Sequence, residues 1–174
     1  MITRHWSGPW QSRERVELHE CQLRGEVAGQ LDGEAFTLSY QIRCDPKWRT
    51  REVRIERQGG DTLVMEVDRR GHWHANGRRL VALDGCLDVD LGFTPATNLL
   101  PLRRCPLEVG ETMMVSAAWL PFPDWRWQPM VQRYTRLGQD RYRYQNEDSG
   151  YTADLIVDEH GLVLSYGDVW ATAP

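Results

Sequence analysis

Two carboxylates, Asp88 and Asp90, stand two residues apart in the stretch from Gly85 to Arg104, and Thr94, Asn98, Arg103 and Arg104 follow within a short distance. Side chains alternate along a strand, so Asp88 and Asp90 share one face, with their Cα atoms roughly 6.5 Å apart. Upstream, Trp48, Arg49 and Arg51 follow a strand end marked by Asp45 and Pro46, and the two arginines again share a face. Their guanidiniums can fork onto Asp88 and Asp90 as bidentate pairs, or hold a phosphate or carboxylate head group while Trp48 stacks on a sugar. Trp48, Arg49, Arg51, Asp88, Asp90, Thr94, Asn98 and Arg103 therefore form the candidate ligand-binding set. A salt-bridge clamp closing the end of a sheet would use the same residues, because buried polar groups need partners whether or not a ligand exists.

Other chemistry finds less support. Two carboxylates on one face can act as acid and base in glycoside hydrolysis, and this makes a hydrolase acting on a sugar or lipid ester the enzymatic alternative. Nearby arginines would keep both groups ionised, the wrong state for a general acid. His72 and His74 flank Trp73 at strand spacing, but no third metal ligand is evident, and a hairpin with Trp73 turned inward accounts for all three. No serine lies in a nucleophile elbow and no glycine loop cradles phosphate, so no catalytic residue, cofactor or metal is expected.

The elements that position these residues read as strands. Residues 35–42 alternate polar and apolar, 52–56 alternate charged and apolar, and Gly59-Gly60-Asp61 leads into a strand over 62–67. Asn76-Gly77 is the strongest turn signal, and residues 158–161 form a second hairpin turn ending in Gly161. The unbroken apolar run 112–120 fits strand or helix, and a strand is expected there. Further strands are expected at 130–136, 141–144, 152–157 and 162–166. With antiparallel strands throughout and no convincing helix, the chain is all-β: a sandwich, barrel or rolled sheet.

At 174 residues, with 41% hydrophobic and 26% charged residues, the chain suits one soluble domain over 1–174. It lacks an apolar run long enough to span a bilayer, although peripheral membrane contact is open to it. A net charge of -4 argues against nucleic-acid binding. Residues 1–7 lack the basic start, apolar middle and small-residue cleavage site of a secretory signal, and Cys21, Cys44, Cys86 and Cys105 are scattered, so the expectation is a cytoplasmic protein with unbridged thiols. Eight tryptophans supply more indole than such a core ordinarily carries. Indole suits both sugar stacking and the rim of a lipid groove.

Trp48-Arg49-Thr50-Arg51, the Asp88-to-Leu91 run, Thr94-Pro95, Thr97-Asn98 and Leu100-Pro101 occur in fixed order, with Gln132-Arg133-Tyr134 and the 157–163 turn downstream. In these motifs the chain resembles a bacterial glycolipid-binding family over most of its length. The resemblance implies a single curved sheet forming a spiral β-roll, similar in shape to carriers of lipids and lipoproteins. It implies an amphipathic ligand, such as a glycolipid, held between the sheet and a covering loop or helix, with binding or carriage in place of catalysis. A structural or protein-interaction domain is the remaining alternative.

Overall fold

The computed structural model describes residues 1–173. One mainly antiparallel sheet contains β1 (Ile2–Gly8), β2 (Ser12–His19), β3 (Gln22–Leu31), β4 (Glu34–Cys44), β5 (Thr50–Arg57), β6 (Thr62–Val67), β7 (Trp73–Ala75) and β8 (Arg78–Arg79). It continues with β9 (Asp88–Leu91), β10 (Thr112–Leu120), β11 (Gln128–Arg136), β12 (Arg141–Asn146), β13 (Thr152–Val157), β14 (Val163–Tyr166) and β15 (Trp170–Thr172). The spatial order is β8 to β1, then β15 down to β9. The first and last strands therefore meet in the middle of the sheet, with Trp6 opposite Thr172, and two meanders run outward from that seam. Every neighbouring pair is antiparallel except β9 and β10, which run parallel. The all-β curved sheet expected from the sequence is the fold observed.

Local chemistry explains the meander. Asn76 and Gly77 both take positive φ, 47° and 79°, as a two-residue hairpin requires. The apolar run 112–120 is strand β10, and 152–157 are strand β13, with the bounds expected for each. The first meander buries Val16, Leu18, Leu23, Val27, Ile42, Val53, Ile55 and Trp73 on its inner face. The second buries Val115, Tyr134, Tyr142, Tyr144, Leu155 and Val157 in a separate cluster.

The segment after Gly92 is where structure departs from expectation. It is not merely irregular: a 3-10 turn over Ala96–Asn98 runs directly into α1 (Leu99–Arg104). Leu99 and Leu100 enter the first core and Leu102 the second, so this short helix is a plug between the two meanders. A helix this short carries too few residues for a 3.6 period to show, and its stability comes from packing.

Strand β9 partitions the interior. Val89 and Leu91 pack into the first core, while Asp88 and Asp90 turn toward the second. Near the start of β5 the sheet curls back on this strand: the Thr50 amide donates to the Leu87 carbonyl at 3.0 Å, and Thr50 Oγ1 accepts from the Val89 amide at 3.1 Å. The sheet stays open nonetheless, with β8 and β9 as its edges.

Candidate ligand-binding cavity

Thr50, not its arginine neighbours, makes the junction between β5 and β9, and this corrects the expected pairing of Arg49 and Arg51 with Asp88 and Asp90. A strand turns successive side chains to opposite faces, so seating Thr50 on β9 turns both arginines away from it. Arg49 Nε and Arg51 Nη2 both bond Asp45 Oδ2, at 2.8 and 2.9 Å. Asp45 also accepts from the Lys47 and Arg49 backbone amides. Trp48 sits in the loop at φ 61°, with the Arg103 guanidinium 5.5 Å from its ring centre. Arg103 Nε donates to the His160 carbonyl at 2.8 Å.

The two aspartates have different partners. Arg104, the last residue of α1, forks onto Asp88 with Nε–Oδ1 at 3.0 Å and Nη2–Oδ2 at 2.6 Å. Asp88 is 1% exposed. Burial raises its pKa, and the guanidinium opposes that shift by bonding and charge. Asp90 has no cation. Its Oδ1 accepts from Thr97 Oγ1 at 3.1 Å and its Oδ2 from Gln132 Nε2 at 2.6 Å. Burial pushes this carboxyl up to about 6, against the two hydrogen bonds.

Asn98 and Thr94 belong to the same interior polar layer. Asn98 Oδ1 accepts from Tyr134 Oη at 2.8 Å, while its amide donates to the Pro95 carbonyl. Thr94 Oγ1 donates to Glu14 Oε1 at 2.7 Å, and Tyr40 Oη donates to the same oxygen at 2.6 Å. Glu14 is fully buried on β2, and desolvation lifts its pKa to about 8 in spite of both bonds. Its Oε2 and the buried Ser12 hydroxyl carry no partner among the described residues. This cluster left no clear signal in the sequence, where Glu14 reads as one more charge on an alternating strand.

A cavity of about 620 Å3 opens at one end of this layer. Asp90, Thr94 and Asn98 are among its lining residues. Trp10, Trp119 and Trp170 contribute indoles, and Met130, Tyr144, Tyr151 and Tyr166 complete an aromatic and apolar wall. Tyr151 and Val169 are 43% and 40% exposed and mark the opening. Trp170 is seated by Gly8, where a Cβ would stand 2.1 Å from the indole. The volume falls in the range of small-molecule sites.

Volume alone does not single this cavity out. A recess of about 880 Å3 beside Arg136, Asp140, Asp158 and Glu159 is larger, but it is lined mainly by charged and polar groups, of which Asp158 pairs with Arg4 and Arg136 donates to backbone carbonyls. The expected site residues divide between two places. Asp90, Thr94 and Asn98 line the tryptophan-bearing cavity, whereas Trp48, Arg49 and Arg103 line a separate recess of about 340 Å3 with Lys47 and Leu87. Asp88 and Arg51 line neither. The cavity's Met130, Tyr144 and Tyr166 went unrecognised in the sequence, although Met130 and Tyr144 fall at inward positions of alternating strands.

His72 Nδ1 lies 3.2 Å from Asp68 Oδ2, and Trp73 between the two histidines is buried. Among the described residues no three His, Cys, Asp or Glu side chains group to hold a metal. Cys21, Cys44, Cys86 and Cys105 are free thiols, and burial lifts Cys44 to about 12 and Cys86 to about 11. Among the described residues no helix is long and apolar enough to cross a membrane.

An open, curved, mainly antiparallel sheet with an aromatic cavity beside its interior helix defines a class of β-proteins built around an internal recess. Residues 6–172 match the family described as "Putative glycolipid-binding", and the chain belongs to that family. It is also similar to a DUF1089 family protein from Pseudomonas aeruginosa known from a crystal structure. The identity is 35%, the TM-score 0.84, and the match covers 95% of this chain and 94% of that one. No curated protein matches the chain.

Proposed function

We propose that this protein binds, and carries without transforming, an amphipathic ligand such as a glycolipid in the cavity between β9, β11 and the β14–β15 end of the sheet. The observation that carries this reading is the composition of the cavity wall: three indoles, Met130 and three tyrosines, together with the polar side chains of Asp90, Asn98 and Thr94. Aromatic faces hold sugar rings and apolar chain segments, and a few convergent polar groups orient the head. Membership in a family described as glycolipid-binding supports the same reading.

The pairing of Asp88 supports binding over hydrolysis through Asp88 and Asp90. Acid-base work on a glycoside needs two carboxyl groups reaching the same bond. Asp88 is sealed from the cavity and neutralised by Arg104, which leaves Asp90 without that partner. A purely structural role for the polar layer is opposed by the cavity itself, since a clamp alone needs no aromatic recess beside it. A sheet continuous from Ile2 to Thr172 supports one domain over 1–174, and four free thiols support a reducing, cytoplasmic setting in which the ligand is met in solution or at a membrane face.

Native mass spectrometry of freshly purified protein, followed by lipid extraction, tests the proposal. A co-purifying amphipathic mass, displaced by added glycolipid with a change in indole fluorescence, is the expected result. A protein that carries nothing and responds to no glycolipid, phospholipid or fatty acid in fluorescence or melting temperature would overturn it.

A further inference from the structure

We infer that the cavity selects an uncharged, hydroxyl-rich glycosyl head group and rejects an anionic one. This rests on the binding reading above and narrows it to a ligand class. The charged residues lining the cavity are Asp90 and Asp148, both acidic, and the lining contains no Lys, Arg or His. Asp90 differs from Asp88 in the respect that matters here. Both of its oxygens accept from neutral donors, Thr97 and Gln132, so its charge is not cancelled locally. Its elevated pKa of about 6 still leaves it ionised above neutral pH.

The consequences for a ligand are opposite for the two head-group types. A sulfate, phosphate or carboxylate brought to this wall meets like charge in a poorly solvated space, with no donor cation to compensate. A sugar hydroxyl can donate to the lone pairs that Asp90 has left, and the Trp10 and Trp119 indoles stand in the same lining. The basic side chains Lys47, Arg49 and Arg103 line a different recess, which shares no residue with the cavity.

Octyl glucoside and octyl sulfate carry the same alkyl chain on a neutral and an anionic head, and both can be titrated below their micelle concentrations. Tryptophan fluorescence and calorimetry at about pH 8, where Asp90 is ionised, would be read for the wild type, Asp90→Asn and Asp148→Asn, with melting temperature as the check on folding. Octyl glucoside is expected to bind at least about tenfold more tightly than octyl sulfate. Asp90→Asn should narrow that ratio by roughly tenfold through a gain for the sulfate, and Asp148→Asn should narrow it less, since that side chain is exposed. Equal or tighter binding of octyl sulfate to the wild type would overturn the inference while leaving an amphipath-binding cavity. An unchanged ratio in a folded Asp90→Asn protein would overturn the role given to Asp90. Binding of neither probe would overturn the binding reading and this inference together.

Discussion

Gln132 donates its side-chain amide to Asp90 Oδ2 at 2.6 Å, and this bond joins the middle of β11 to the end of β9 across the interior. Two residues along β11, Tyr134 donates to Asn98 at 2.8 Å. One strand thus fixes both the carboxylate and the amide that face the cavity, and the short segment between them has little freedom to relax.

Gln132→Leu should therefore destabilise the protein by about 1–3 kcal/mol, because it removes a donor from a poorly solvated carboxylate and leaves that acceptor short of partners. The same change should raise the Asp90 pKa above its present value, since the lost bond is one that lowers it. Chemical denaturation gives the first quantity. NMR titration of the Asp90 carboxyl gives the second, and an unchanged or lowered pKa would contradict the role assigned to Gln132.

Arg104 and Arg49 should respond very differently to truncation. Removing Arg104 strands the buried Asp88 charge and should cost about 3–5 kcal/mol, less if Asp88 takes up a proton. Removing Arg49, whose side chain is 42% exposed in its pair with Asp45, should cost about 1 kcal/mol or less. Denaturation midpoints of the two alanine variants decide this. Similar losses would mean that the loop pair matters as much as the buried one.

Glu14 gives a pH signature of known sign. Its folded pKa is raised from 4.5 to about 8, so folding favours the protonated form. The stability associated with that proton is complete below about pH 4.5 and is lost as pH rises toward 8. Glu14→Gln cannot ionise, and its stability should gain on the wild type across this window by roughly 1.4 kcal/mol per pH unit. Parallel stability curves for the two proteins from acid to mildly alkaline pH would show that Glu14 titrates normally.

Much of the fold was legible because it depends on short-range pattern. Asn76-Gly77 specifies its own turn, and the alternation at residues 52–56 and 152–157 reports faces that are buried on one side. The α1 segment was not legible: Leu99 and Leu100 belong to one core and Leu102 to the other, and no period in six residues can announce two destinations. The site was half legible for a related reason. Asp90, Thr94 and Asn98 were visible as polar residues held within an apolar stretch, but the partners of Asp88 and of the arginines depended on which face Thr50 turned toward β9. The Tyr144 and Tyr166 wall, assembled from strands distant in sequence, had no local signature.

The most direct test places the ligand. A glucosyl lipid carrying a photoreactive diazirine on its chain, irradiated with the protein and mapped by peptide mass spectrometry, should label the cavity wall at Met130, Tyr144, Tyr151 or Tyr166. Excess octyl glucoside should abolish that labelling. Labelling confined to the basic recess at Trp48, Leu87 and Cys105, or labelling that no competitor reduces, would contradict the account and place the ligand elsewhere.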